Sequence, residues 1–282
     1  MSNIIPRVAA IHDMSGYGKC SLTVALPILS AAGVETAVIP TAVLSTHTGG
    51  FTGFTYRDLT DDLLPVAEHW KSLELPFDAM YSGFLGSSQQ IELMKRLFDM
   101  WKPSGTLILV DPVMADNGQL YAIYSPEMAR GMAGLCAHAD IIAPNLTEAA
   151  FLLDEPYVGE HYDRPYIEGL MKRLISLGAP KVVLTGISFE PGMLGAACYD
   201  SADGCIGYFA LKLIDGYFHG TGDVFGSSLL SGLLSGQPLT KAMETAVKYT
   251  HRCITLTVEA GLERRYGVCF EKAIPYLIEL LK

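Results

Sequence analysis

Short apolar runs alternate with longer stretches of helical periodicity along this chain. The apolar runs lie at 8–11, 35–39, 79–81, 106–110, 140–142 and 181–184. They are apolar throughout rather than at every second position, which suits strands buried on both faces. Helix-periodic segments fill the gaps, at about 20–32, 58–72, 88–101, 125–136, 147–153 and 163–177. Repeated strand–helix–strand units predict an α/β fold with a mostly parallel central sheet, right-handed crossovers and flanking helices. In the C-terminal third the rhythm changes. Segments 195–199 and 206–211 flank the turn-rich Asp200-Ser201-Ala202-Asp203-Gly204, which predicts a small antiparallel hairpin. Helices follow at about 222–235, 239–258 and 271–281. Segment 41–56 is rich in Gly and Thr and not helical. It reads as a loop or short strand pair over the sheet, where flaps that cover active sites are found. No linker, repeat or low-complexity tract interrupts the pattern, so residues 1–282 are expected to form one domain.

In open parallel sheets, ligands bind beyond the carboxyl ends of the strands. Five strand ends here carry polar or Gly-rich segments. They are His12-Asp13-Met14-Ser15-Gly16-Tyr17-Gly18, Ser82-Gly83-Phe84-Leu85-Gly86, Asp111-Pro112-Val113-Met114-Ala115-Asp116, Pro144-Asn145-Leu146-Thr147-Glu148 and Thr185-Gly186. Together they predict a site along one sheet edge. The sharpest signal is Gly220-Thr221-Gly222-Asp223-Val224-Phe225, ahead of a small-residue apolar helix. Glycines let successive backbone N–H groups turn toward one point, and a helix N-terminus adds free donors and partial positive charge. Such a turn holds a phosphate or a developing anion. Asp223 is either an N-cap or a reacting carboxylate, and among these strand ends the catalytic reading is preferred.

Composition narrows the partners. Half the residues are hydrophobic and 18% are charged, enough apolar material for a large core. A net charge of −10 argues against nucleic acid, which needs clustered Lys and Arg. It leaves ATP open, since backbone N–H groups and a metal can bind one phosphorylated ligand. The six cysteines form no C-x-x-C pair, which argues against zinc and suits free thiols in a reducing compartment. No basic leader followed by an apolar stretch and no run of membrane-spanning length is present, so the reading expects a cytoplasmic location. Two familiar loops fail. Gly16-Tyr17-Gly18-Lys19-Cys20-Ser21 lacks the first Gly and the Ser or Thr directly after Lys that a P-loop requires. Ser21 stands where a dinucleotide fingerprint needs its third Gly. His12, His47 and His219 fall in candidate site loops.

Four stretches resemble the pyridoxal kinase branch of the ribokinase-like superfamily. Ser45-Thr46-His47-Thr48-Gly49 is similar to its Ser-Asn-His-Thr loop, and Ser82–Ser87 to its Ser-Gly-Tyr-Leu-Gly segment. Asp111-Pro112-Val113-Met114-Ala115-Asp116-Asn117-Gly118 with Leu120-Tyr121 is similar to its Asp-Pro-Val-Met-Gly-Asp-x-Gly-x-x-Tyr. Gly220–Phe225 resembles its catalytic motif, and Ala143-Pro144-Asn145-x-x-Glu148 a motif of the wider superfamily. The resemblance implies a ribokinase-like three-layer fold and ATP-dependent phosphorylation of a hydroxymethyl group on a B6 vitamer. It implies Asp223 as base, with Gly220, Thr221 and Gly222 donating N–H groups to the transferring phosphoryl. Asn145 and Thr185 would contact ATP phosphates. Asp111, Asp116 and Glu148 would lie near Mg²⁺-bound water, and Asp13, His47, Thr48, Tyr81 and Phe84 around the pyridine ring. A homodimer is implied, and a monovalent-cation requirement is left open. Acidic residues with no Lys nearby independently call for a cation at the nucleotide phosphates.

The chain departs from that pattern at three places. Asp13 stands where Ser is common, Phe84 replaces a Tyr, and Ala143 replaces a Thr. Asp13 and Ser15-Gly16 also suit a hydroxymethylpyrimidine kinase of thiamin synthesis. That branch commonly has Cys at the place of Asp223 and lacks the Asp116-x-Gly118…Tyr121 pattern. A non-catalytic ATP or vitamer sensor is a third reading, against which Asp223 weighs.

Overall fold

The apolar runs become strands in the computed structural model, which describes residues 5–159 and 161–282. They are β1 (Arg7–Ser15), β2 (Glu35–Leu44), β3 (Tyr56–Asp58), β4 (Ala79–Ser82), β5 (Leu107–Val110), β6 (Ala115–Asp116), β7 (Gln119–Leu120), β8 (Ile141–Ile142), β9 (Lys181–Ile187), β10 (Met193–Asp200) and β11 (Cys205–Lys212). The α-helices between and after them are α1 (Leu22–Ala31), α2 (Thr60–Ser72), α3 (Ser88–Trp101), α4 (Pro126–Cys136), α5 (Leu146–Leu153), α6 (Arg164–Ile175), α7 (Thr221–Leu234), α8 (Leu239–Glu259) and α9 (Ile274–Leu280).

Nine strands form one sheet in the order β11-β10-β9-β8-β5-β4-β1-β2-β3. The pairings from β2 through β9 are parallel, while β3, β10 and β11 join antiparallel. The expected hairpin is β10–β11, and it extends the main sheet at its β9 edge. Alternating strand residues feed opposite faces. Ala9, Ile11, Met80, Ile108 and Val110 pack with α2 to α6. Val8, Ala79, Tyr81 and Leu109 pack with α1, α7 and α8. This is the three-layer α/β architecture expected from the sequence. No helix among the described residues is long and apolar enough to cross a membrane.

Two local differences from expectation matter for the site. β1 and β2 run past their apolar runs, with Met14 opposite Val43 and Ser15 opposite Leu44. His12 and Asp13 therefore sit within β1, not in a loop after it. The register slips between His12 and Met14, beside Pro40. Proline has no N–H for a ladder, and such irregularities re-aim neighbouring side chains. Segment 41–56 resolves into the end of β2 and a connection to β3, which pairs with Ala42–Leu44. The small β6–β7 hairpin had no signal beyond Asn117-Gly118.

Candidate active site

Sequence order reverses at β1. The chain leaves β1 for β2 on one side, then returns to place β4 on the other. The crevice at such a switch point is where open α/β sheets bind ligands. A cleft of about 860 Å³ opens there. It receives Asp13, His47, Thr48, Phe84, Asp111, Asp116, Asn145, Glu148, Thr185, Gly220, Thr221, Gly222 and Asp223. Every site residue expected from the sequence thus lines one cavity except Tyr81.

Tyr81 is a correction. It is fully buried and points to the α7 face of β4, its hydroxyl against Gly226. Its neighbours Met80 and Ser82 point to the opposite face by strand alternation. Tyr81 supports the site from below and forms no part of the cleft wall.

α7 begins at the back of this cleft. Its N-cap is Gly220, with φ of +74° and no side-chain capping bond. A Cβ at this position would collide with the Lys19 carbonyl oxygen, so both backbone conformation and close approach demand glycine. The first N–H groups of a helix lack intrahelical acceptors, and the residues that open this one, Gly220, Thr221 and Gly222, line the cleft. Asp223 lies in the first turn of α7 and is not its N-cap. Its side chain is 15% exposed and borders the cavity. Burial pushes its carboxyl up to about 7, with Asp13 adding to the rise and the Ser21 backbone N–H opposing it. A carboxylate so poised suits a general base near neutral pH.

Opposite stand Asp111 and Glu148, both buried. Burial holds both carboxyls above the usual range, and for Asp111 the charges of Glu148 and Asp223 add to it. Glu148 is fixed by a capping box on α5. Its Oε2 accepts from Asn145 N at 2.8 Å, and its own N–H donates to Asn145 Oδ1 at 2.9 Å. Its Oε1 accepts from Met114 N at 3.2 Å. Asn145 Nδ2 donates to the Ala115 carbonyl at 2.9 Å. Asn145 therefore braces Glu148 and the β6 strand as well as lining the cleft. Among the described residues no three His, Cys, Asp or Glu side chains gather closely enough to hold a metal ion. Asp111, Asp116 and Glu148 are accordingly not a preassembled ligand set.

The other half of the cleft is built differently. Asp13 is buried and accepts from Ser21 Oγ at 2.5 Å and from Ser15 Oγ at 3.0 Å. His47 Nδ1 accepts from Gly49 N at 3.1 Å, which leaves the proton on Nε2 to donate to the Arg265 carbonyl at 2.7 Å. Both nitrogens are thereby engaged, and burial lowers its pKa. His47 offers the cleft only a ring surface. Phe84 is half-buried, its ring edge-on to Tyr124. Lys19, which a P-loop would aim at phosphate, instead pairs with Glu271 at 2.8 Å.

Several cleft residues carried no motif. Lys212, Leu213 and Ile214 approach from the end of β11, and Val247, Thr250, His251 and Ile254 from α8. The α8 set has the spacing i, i+3, i+4, i+7 of one helical face. That spacing was readable, but what the face looks upon was not.

The comparisons agree with this geometry. A provisionally named phosphomethylpyrimidine kinase of Bacteroides thetaiotaomicron is 35% identical, with a TM-score of 0.94 over 98% of this chain and 95% of its own. A second crystal form of it, with pyridoxal, gives 0.92 over 97% and 96%. Pyridoxal kinase from Lactobacillus plantarum is 29% identical, with a TM-score of 0.89 over 99% and 98%. Among curated sequences, a multifunctional thiamine biosynthesis protein of Corynebacterium efficiens is 27% identical over 254 residues, 88% of this chain. The chain spans about a third (33%) of that relative's length. The profile described as phosphomethylpyrimidine kinase matches residues 26–267. The chain therefore belongs to the phosphomethylpyrimidine kinase family, and its fold is shared with pyridoxal kinase.

Proposed function

We propose that this chain transfers the γ-phosphoryl group of ATP to the 5′-hydroxymethyl group of a vitamin B6 vitamer, giving the 5′-phosphate and ADP. The carrying observation is Asp223, poised near neutrality beside the glycine-lined start of α7 inside the 860 Å³ cleft. The 35% identical Bacteroides protein crystallised with pyridoxal supports the choice of vitamer.

Asp223 takes the hydroxymethyl proton as that oxygen forms its bond to the γ-phosphorus. The bridging bond to the β-phosphate breaks, and ADP leaves. N–H groups of Gly220, Thr221 and Gly222 face the charge that develops on the transferring group. Asp13, Thr48, Phe84 and the His47 ring surface enclose the vitamer, and Asn145 and Thr185 lie on the phosphate side. The two buried carboxyls Asp111 and Glu148, with Asp116 at the cleft wall, are oxygen donors that suit Mg²⁺. When bound with the phosphates, that ion would neutralise their charge. A cytoplasmic homodimer completes the reading.

A coupled assay of ADP release across pyridoxal, pyridoxamine, pyridoxine and hydroxymethylpyrimidine tests the proposal. Release with a B6 vitamer at a kcat/KM well above that for the pyrimidine is expected. The reverse order would assign the chain to thiamin synthesis, which the Corynebacterium relative and Asp13 would then explain. No substrate-dependent release would leave a sensor.

A further inference from the structure

His12 is wholly buried in β1, directly beneath the carboxylate assigned above as the base. Its Nδ1 lies 3.9 Å from Asp223 Oδ1. Neither ring nitrogen makes a full hydrogen bond among the described residues. The polar groups it faces are the Tyr81 backbone and Asp223. The ring is clamped in place. Tyr81 packs edge-on at 4.3 Å between centroids, and a Cβ on Gly83 would collide with Nδ1. Burial keeps the imidazole neutral. An unsatisfied imidazole in a core costs stability, and an apolar residue would pack there without that cost. A contact of 3.9 Å is too long for a hydrogen bond. Catalytic contacts are often long in the free enzyme and tighten in the reacting complex.

We infer that His12 is a positioning residue for phosphoryl transfer. Its Nδ1–H closes on Asp223 Oδ1 in the reacting complex and orients the ionised carboxylate. Oδ2 is then left toward the substrate hydroxyl, ready to take its proton. This rests on the reading of Asp223 as the base. His12 touches no substrate, so its loss acts on turnover and not on vitamer binding.

Asn and Leu share the same branched four-atom skeleton, and an Asn amide can place an N–H where His Nδ1 stands. Steady-state kinetics are therefore measured for His12→Leu and His12→Asn with the best vitamer, beside ADP affinity and thermal unfolding. His12→Leu is expected to lower kcat roughly tenfold, the scale of one lost hydrogen bond to a charged group. The vitamer KM and ADP affinity stay unchanged, and His12→Asn recovers kcat to within about threefold of the wild type. Unchanged kcat in His12→Leu, or equal losses in Leu and Asn variants that fold normally, overturns the inference. Should His12→Leu not fold, Gly83→Ala decides. It keeps the histidine but displaces its ring, so kcat must fall with ADP affinity preserved, and an unaltered kcat refutes the role. Asp223→Asn separates the two levels. If that variant turns over normally, the base assignment itself fails. If it is inactive while His12→Leu is normal, only the role of His12 fails.

Discussion

Asp223 sits in the first turn of a helix whose N-cap is a glycine, so its carboxylate is free of the capping work that acidic residues usually do there. With its pKa raised to about 7 by burial, the active base form gains population as pH rises. The pH profile of kcat/KM should therefore show an acid limb with its midpoint near 7, falling tenfold per unit below it. Asp223→Asn should cut turnover at least ~100-fold while ADP affinity, read by calorimetry, stays near the wild-type value. The proposed function puts Asp13 in the substrate half. Hydroxyls of Ser15 and Ser21 fix both of its oxygens, so its carboxylate is held rigid where the relatives' pattern offers a hydroxyl. Under the proposed function an amino-bearing vitamer would gain most from it. Asp13→Ser should lower the ratio of kcat/KM for pyridoxamine over pyridoxal about tenfold, the worth of one hydrogen bond to a charged group. An unaltered ratio removes Asp13 as a determinant.

At the scale of elements, the connection from β2 to β3 is fastened by His47. Its two nitrogens tie the Gly49 backbone to the Arg265 carbonyl, and its ring meets Phe51 edge-on at 4.9 Å. His47→Ala should release this flap, raising the vitamer KM about tenfold and lowering stability by about 1 kcal/mol, while kcat at saturation changes little. Denaturant unfolding and steady-state kinetics check the two parts separately. The α7 entrance behaves otherwise. Gly220→Ala meets both a left-handed φ and the Lys19 carbonyl. It should cost about 1–3 kcal/mol and abolish measurable turnover, because the N–H groups would no longer converge.

For the whole molecule, the parallel sheet gathers Asp13, Asp111, Asp116, Glu148 and Asp223 at one edge of a protein that already carries a net charge of −10. Burial raises Asp111, Glu148 and Asp223 above their unfolded values. The native state then holds more protons than the unfolded chain between the two sets of pKa values, and stability falls as pH rises through that window. The buried His12 and His47 and the half-buried His219 shift downward and act in the opposite sense below about 6.5, where an unfolded histidine begins to charge. Above that pH the raised carboxyls dominate, and the buried thiols, also shifted up, add in the same sense toward pH 8. Thermal unfolding of the free protein should shift to lower temperature from about pH 6.5 to 8. Mg²⁺ with ATP should flatten this slope by compensating the carboxylates. A Tm that rises over the same range would mean these acids are not buried as a group.

Much of this was legible before folding. The apolar runs marked every strand of the parallel sheet, because strands buried on both faces cannot hide that composition. Glycine at 220 and 222 and the acid at 223 marked the turn that borders the cleft, and at 220 the left-handed backbone explains the glycine. Other features required the fold. Periodicity says that a segment pairs, but not how far pairing continues into polar residues, so His12 and Asp13 read as loop and proved to be strand. Alternation turned Tyr81 beneath the site, because which face of β4 looks upon α7 depends on layers distant in sequence. The nitrogens of His47 found partners two residues and 218 residues away, and only the second of these demands the folded chain. Local chemistry thus named the candidate groups, while long-range packing decided which of them reach the cleft and which ones hold them there.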